Sequence, residues 1–309
     1  MRPWWRWPDT SPIKTPARPV WIWTSMPEVS FRALSYPSPR EILSAFGLSA
    51  RKSLGQHFLR RPETALRLVE AAGVSGERPV VELGAGLGLL TWALARRFPR
   101  VIAYELDERL LALLPRVYPW PEGVEFRKGD ILRLDYAALF RELSGPLRLF
   151  GNLPYYLSSR LLFRLYQEAP LFEVCVFMFQ KEVVDRLLAP PGGRTYGILS
   201  VLTALLTRAE RLLVLPPAEF YPPPEVSSAV VKLEFLGKEV PSGLFRLLKA
   251  AFGRRRKKLL RNLETLYPRE RIIRAFEELG LSEKVRAEAV APEIFLELAL
   301  RLEAGKTIQ

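Results

Sequence analysis

The stretch Val80-Val81-Glu82-Leu83-Gly84-Ala85-Gly86-Leu87-Gly88 decides the fold. Its first four residues make a short run of strand character. Three glycines follow, and then a helical period over 89–98. A strand that breaks into a glycine turn and then a helix is the opening unit of an α/β sheet. Glycine accepts positive φ and carries no side chain, so the backbone there can come close to a ligand. The turn lies at the carboxyl end of its strand, where open α/β sheets hold ligands. The dinucleotide fingerprint G-x-G-x-x-G/A needs a small third residue to pack helix on strand. Here Leu89 stands at that place and the third glycine comes one residue early, so the pyrophosphate-cradling register is lacking.

Outward from this turn, the pattern predicts strands at 79–83, 100–104, 124–128, 147–150, 173–179 and 228–235. Helices are predicted at 41–46, 62–72, 107–114, 158–168, 181–188 and 196–207. Strands alternating with helices predict a parallel sheet covered by helices on both faces. Beyond Pro241 the helical periods 243–252, 257–266, 269–279 and 292–300 predict a small all-helical C-terminal domain. Residues 41–240 form the α/β domain in this division and 241–309 the helical one. Residues 1–40 differ, with five of the seven Trp and eight of the 27 Pro and no sustained period. They read as a disordered extension or the product of a start codon placed upstream, Met26 being another start. A base-stacking arm of Trp and Arg is the functional alternative.

Two acids follow the glycine turn at strand ends. Glu105 closes the second strand, about twenty residues after Gly84, where a carboxylate can accept from both hydroxyls of a ribose. Asp130 follows the third strand in Lys128-Gly129-Asp130-Ile131, placed to accept from the exocyclic amine of an adenine. Then, directly after the fourth strand, comes Asn152-Leu153-Pro154-Tyr155. An exocyclic adenine amine is a poor nucleophile, because its lone pair is delocalised into the ring. Acceptors on its two N–H groups turn the nitrogen towards sp³. The Asn152 side-chain oxygen and the Leu153 carbonyl can do this. Pro154 fixes φ and stiffens that carbonyl. Tyr155 offers a flat face to a base that must leave its stack to be reached. No general base is demanded, because the methylated ammonium is itself acidic. Catalysis on this reading is positioning and stabilisation of developing charge.

Composition limits the partners. The net charge is +13, which suits a polyanion such as nucleic acid. No apolar run approaches the roughly 18 residues of a membrane span. One cysteine, Cys175, and one histidine, His57, exclude the usual zinc sites, so no metal is expected, and they fit a reducing cytoplasm. The densest positive run is Arg254-Arg255-Arg256-Lys257-Lys258, within a segment, 241–309, that carries 15 Lys and Arg against 9 Glu. It is either a solvated helix face or a contact for RNA phosphates.

The glycine spacing is similar to the first motif of class I methyltransferases. With the tetrad and both acids in order, residues 48–302 resemble the KsgA/Dim family of ribosomal RNA adenine dimethyltransferases. Lys52-Ser53-Leu54-Gly55-Gln56-His57-Phe58-Leu59 resembles that family's opening motif, with His57 where Asn is usual. Gln180 to Leu187 also matches, as does Phe220-Tyr221-Pro222-Pro223-Pro224-Glu225-Val226-Ser227-Ser228-Ala229-Val230-Val231. Asp is usual at Ser227 and Asn at Tyr156. The resemblance implies a class I, Rossmann-like fold and S-adenosylmethionine as cofactor, leaving S-adenosylhomocysteine. It implies cofactor contacts from His57, Leu59, Gly84, Gly86, Glu105, Asp130 and Asn152. Phe220 would sandwich the target base opposite Tyr155. The implied substrate is two adjacent adenines near the 3′ end of 16S rRNA, in the small subunit or its precursor, met by a cytoplasmic monomer. An Erm-type enzyme acting on 23S rRNA and a non-catalytic assembly factor are the rival readings.

Overall fold

The computed structural model describes residues 37–303 apart from Arg255, so the N-terminal extension up to residue 36 lies outside the described residues. Nine strands occur among them: β1 (Phe58–Leu59), β2 (Val80–Leu83), β3 (Val101–Glu105), β4 (Val124–Lys128), β5 (Leu147–Asn152), β6 (Phe172–Gln180), β7 (Thr207–Leu215), β8 (Phe220–Tyr221) and β9 (Ser228–Phe235). The first helices are α1 (Pro39–Ala45), α2 (Pro62–Ala71), α3 (Leu89–Ala95), α4 (Glu108–Val117), α5 (Tyr136–Glu142) and α6 (Ser158–Gln167). After them come α7 (Lys181–Leu187), α8 (Ile198–Leu206), α9 (Ser242–Ala251), α10 (Leu259–Leu263), α11 (Arg269–Glu278) and α12 (Pro292–Glu303).

Helix α1 starts at Pro39, two residues before its expected beginning. Ser38 and Glu41 close a reciprocal capping box there, and proline suits the first helical turn.

Seven strands form one sheet in the order β4-β3-β2-β5-β6-β9-β7. The first five are parallel, whereas β9 runs antiparallel to β6 and β7 antiparallel to β9. The fold is α/β and Rossmann-like as expected, but the sheet is mixed at one edge rather than parallel throughout. The cause is the connection. Between β7 and β9 the chain has only a 3₁₀ turn (Pro217–Glu219) and β8, and antiparallel neighbours need no crossover helix. Strand β7 itself was not expected. It is an edge strand whose Arg208, Glu210 and Arg211 are polar, and Arg208 and Glu210 sit opposite Glu234 and Lys232 of β9. Such charges blunt an open sheet edge and also hide its strand period.

The strand order reverses at β2. From there β3 and β4 extend one way, and β5 lies on the other side. Ligands bind outside the carboxyl ends of the strands at such a switch point. The carboxyl ends of β2 and β5 carry Gly84 and Asn152. The approach there is close: a Cβ added to Gly151 would lie 2.7 Å from the Leu83 carbonyl oxygen. A small antiparallel pair, β1 with β8, sets Phe58 opposite Tyr221 and Leu59 opposite Phe220 across one side of this crevice.

Strands β2 and β3 are buried along their whole length, which is why they read as apolar apart from Glu82 and Glu105. One apolar cluster passes from the sheet (Leu149, Phe177, Val231) through α8 (Leu202) to Leu244, Leu260, Phe276 and Phe295 of the C-terminal helices. No helix among the described residues is long and apolar enough to cross a membrane.

Candidate active site

At the end of β2 the amides of Gly84 and Ala85 both donate to the Tyr104 carbonyl, at 2.8 and 2.9 Å. The turn is thereby fastened to the neighbouring strand. Gly86 has φ of +59°, and a Cβ on it would meet the Phe58 ring at 3.1 Å. Its amide donates to Glu105 Oε2 at 2.8 Å. Glu105 Oε1 accepts from Leu106 and Asp107, each at 2.8 Å. The expected ribose acceptor is therefore also the clamp that holds the glycine turn. Burial raises the Glu105 carboxyl above its ordinary range; the three amides pull it back and Asp107 adds to the rise. Asp107 is held low, first by the Arg109 guanidinium and also by Gln56. Asp130 accepts from the Leu132 amide at 2.9 Å and lies 3.5 Å from the Arg133 guanidinium.

Asn152 is oriented by a segment 95 residues away. Its Nδ2 donates to the His57 carbonyl at 2.8 Å. A carbonyl can only accept, so the amide must present its NH₂ end to His57, which leaves Oδ1 free to accept. Tyr155 is held at both ends. Its hydroxyl shares a 2.7 Å hydrogen bond with buried Ser228, and its ring lies 5.6 Å from the His57 ring at 22°. Burial raises the Tyr155 phenol, so it stays neutral. The His57 ring is fixed in turn by Nδ1, which donates to the Pro222 carbonyl at 2.7 Å.

These residues surround one open cleft. His57, Leu59, Gly84, Gly86, Glu105, Asp130 and the four residues Asn152 to Tyr155 all line it. Phe220 does not. Its ring is buried, 1% exposed, on β8 beside β1. The basic run is a separate feature: Arg254, Arg256, Lys257 and Lys258 are exposed and make no ion pair among the described residues, and Arg255 lies outside them.

One lining residue was not singled out from the sequence. Glu82 is 1% exposed. Its Oε2 accepts from Thr91 at 2.5 Å, while Oε1 has no partner among the described residues. Burial pushes its carboxyl up to about 8, against the Thr91 hydroxyl and with help from Glu105. The only signal in the sequence was an acid inside a strand otherwise apolar.

The electrostatics of the cleft select a ligand class. Three carboxyls (Glu82, Glu105 and Asp130) line it, with no Lys or Arg among the described residues. A dinucleotide's pyrophosphate would find no cation there. A ligand carrying positive charge and no phosphate fits beside Glu105 and Asp130, while Glu82, held protonated by burial, offers its unpartnered Oε1 as a hydrogen-bonding group rather than as a charge.

The model of the family described as ribosomal RNA adenine dimethylase matches residues 47–304. Ribosomal RNA small subunit methyltransferase A of Koribacter versatilis is 40% identical over 272 residues, covering 82% of this chain and 95% of that protein. Its namesake in Geobacillus thermodenitrificans is 36% identical over 274 residues, with coverage of 84% and 93%. Among solved structures, a dimethyladenosine transferase from Plasmodium falciparum matches with a TM-score of 0.69 at 26% identity, over 80% of this chain and 98% of that one. The 23S rRNA methyltransferase ErmE matches with a TM-score of 0.58 at 26% identity, over 80% and 99%.

Proposed function

Because this chain belongs to the ribosomal RNA adenine dimethylase family, we propose that it moves methyl groups from S-adenosylmethionine to the exocyclic amines of two adjacent adenines near the 3′ end of small-subunit rRNA. The observation that carries the reading is the orientation of Asn152. Its NH₂ is committed to the His57 carbonyl, so its Oδ1 is the acceptor an adenine amine needs.

The cofactor supplies an electrophilic methyl group on a cationic sulfur. The cleft suits it by charge, with the carboxyls of Glu105 and Asp130 and no basic side chain among the described residues. Glu105 and Asp130 would hold its ribose and adenine, and Gly84 and Gly86 allow its amino-acid portion close to the backbone. His57 and Leu59 close one wall. For the substrate, Asn152 Oδ1 and the Leu153 carbonyl accept the two N–H groups, so the lone pair leaves the ring and turns to the methyl group. Fixed acceptors stabilise positive charge growing on that nitrogen. The proton is lost from the product ammonium without a dedicated base. Tyr155 carries the flipped base on its open face. Phe220, the second wall implied by resemblance, reaches the base only if its ring leaves the core.

The helical segment from 241 would contact RNA through Arg254–Lys258, whose described members are unpaired cations. With its lone cysteine buried, the protein fits a reducing cytoplasm, and the family resemblance implies a monomer. The 36–40% identical small-subunit relatives favour 16S rRNA over the 23S substrate of the structural neighbour ErmE.

The test gives purified protein and labelled S-adenosylmethionine to small- and large-subunit rRNA separately, free and as subunits, and maps the label. Two adjacent N6,N6-dimethyladenines in the small-subunit RNA are expected. Label confined to large-subunit RNA, or none in either, would overturn the reading.

A further inference from the structure

Tyr156 has no task in the fold. It is the most exposed large apolar side chain among the described residues, 56% open. Its hydroxyl makes no hydrogen bond among them. Its neighbour Tyr155 is the opposite case, fastened by Ser228 and His57. Yet Tyr156 has a seat. A Cβ added to Gly55, where φ is +59°, would lie 3.5 Å from two atoms of the Tyr156 ring, so the ring rests against bare backbone. It lines the same cleft as Asn152. Arg160, on the first turn of α6, is exposed and has no ion-pair partner among the described residues. Asn is usual at position 156 in the family the chain resembles, so the aromatic ring is a departure from that pattern.

When one adenine leaves a stack, the nucleotide beside it is left with an uncovered face at the mouth of the site. An exposed aromatic ring at that mouth can cover it. Resting on the reading that a flipped adenine enters this cleft, we propose that Tyr156 is the stacking platform for the nucleotide next to the target, with Arg160 as its phosphate contact. Because the two target adenines are adjacent, the base on the platform is the other target in one of the two rounds. Tyr156 is then a positioning residue that sets the register of the RNA. Stacking of a base on an aromatic side chain is worth about 1–3 kcal/mol by alanine substitution, or roughly fivefold to 150-fold in affinity.

The test uses a small-subunit rRNA fragment that the wild-type protein methylates, with 2-aminopurine replacing the nucleotide on the 5′ or the 3′ side of the methylated adenine. Stacking quenches its fluorescence. Wild type and Tyr156→Phe should quench it on one of the two sides. Tyr156→Ala and Tyr156→Asn should not, and their KM for RNA should rise at least about fivefold, with the loss falling on KM rather than kcat. Arg160→Gln should lower the salt slope of RNA binding by about 0.7. Cofactor affinity equal to wild type shows that the fold of the variants is intact. Quenching and KM unchanged in Tyr156→Ala overturn this inference alone. A wild-type protein that methylates neither rRNA overturns the underlying reading, and this inference with it.

Discussion

Replacing Glu82 by Gln should flatten the dependence of folding stability on pH. The Glu82 carboxyl is pushed from 4.5 to about 8, chiefly by burial. The folded chain therefore holds a proton there that the unfolded chain has released, over a window about 3.5 pH units wide. Where the folded state binds more protons, stability falls as pH rises. The full contribution is present below about pH 4.5 and is lost by the time pH passes about 8. One proton costs about 1.4 kcal/mol per pH unit, so wild type should lose on the order of 5 kcal/mol across the window. Glutamine stays neutral throughout. It keeps the side-chain length and an acceptor for Thr91, at a pH-independent cost of about 1–3 kcal/mol for its unpaired NH₂. Glu105 is present in both proteins, so their difference curve reports Glu82. Urea unfolding of the cofactor-free protein at pH 5, 7 and 9 measures it. Parallel stability curves for wild type and Glu82→Gln would refute the reasoning and show Glu82 ionised inside the fold.

Asn152→Ala should lower kcat by at least about a hundredfold while RNA affinity stays within about twofold, since it removes an acceptor that acts on developing charge. Asn152→Asp should be as poor, because a carboxylate oxygen would replace the amide nitrogen that now donates at 2.8 Å to the His57 carbonyl. Near wild-type turnover in the Asp variant would show that this orientation is irrelevant. Changing Arg254, Arg256, Lys257 and Lys258 to Gln should lower the salt slope of RNA binding by up to about 3. An unchanged slope would place the RNA elsewhere.

What the sequence disclosed follows from which interactions are local. Strands β2, β3 and β6 are buried and read as apolar runs. The meeting of Asn152, Glu105 and Asp130 at one cleft was legible because a strand end is a local feature and α/β topology brings strand ends together. Helix α5 escaped notice because seven residues give barely two turns of period, although Asp135 caps it. Strand β7 escaped because its charges are answered across the sheet by Glu234 and Lys232, residues of another strand. The same limit governed the site. Nothing near Asn152 in the chain announces the His57 carbonyl, and nothing near Glu105 announces the Gly86 amide. Phe220 lies in a matching motif, but its burial depends on its pairing with Leu59, 161 positions earlier.

The hydrogen bond from Asn152 to residue 57 also bears on what evolution can alter. Its acceptor is main chain, and every amino acid brings the same carbonyl to that position. Selection on the aim of the Asn152 amide therefore acts on the path of the loop and is indifferent to the side chain the loop carries. That freedom lets a histidine stand where the family this chain resembles usually has asparagine. The imidazole can then take up a second occupation, bracing Tyr155 from Pro222, without disturbing the acceptor beside it.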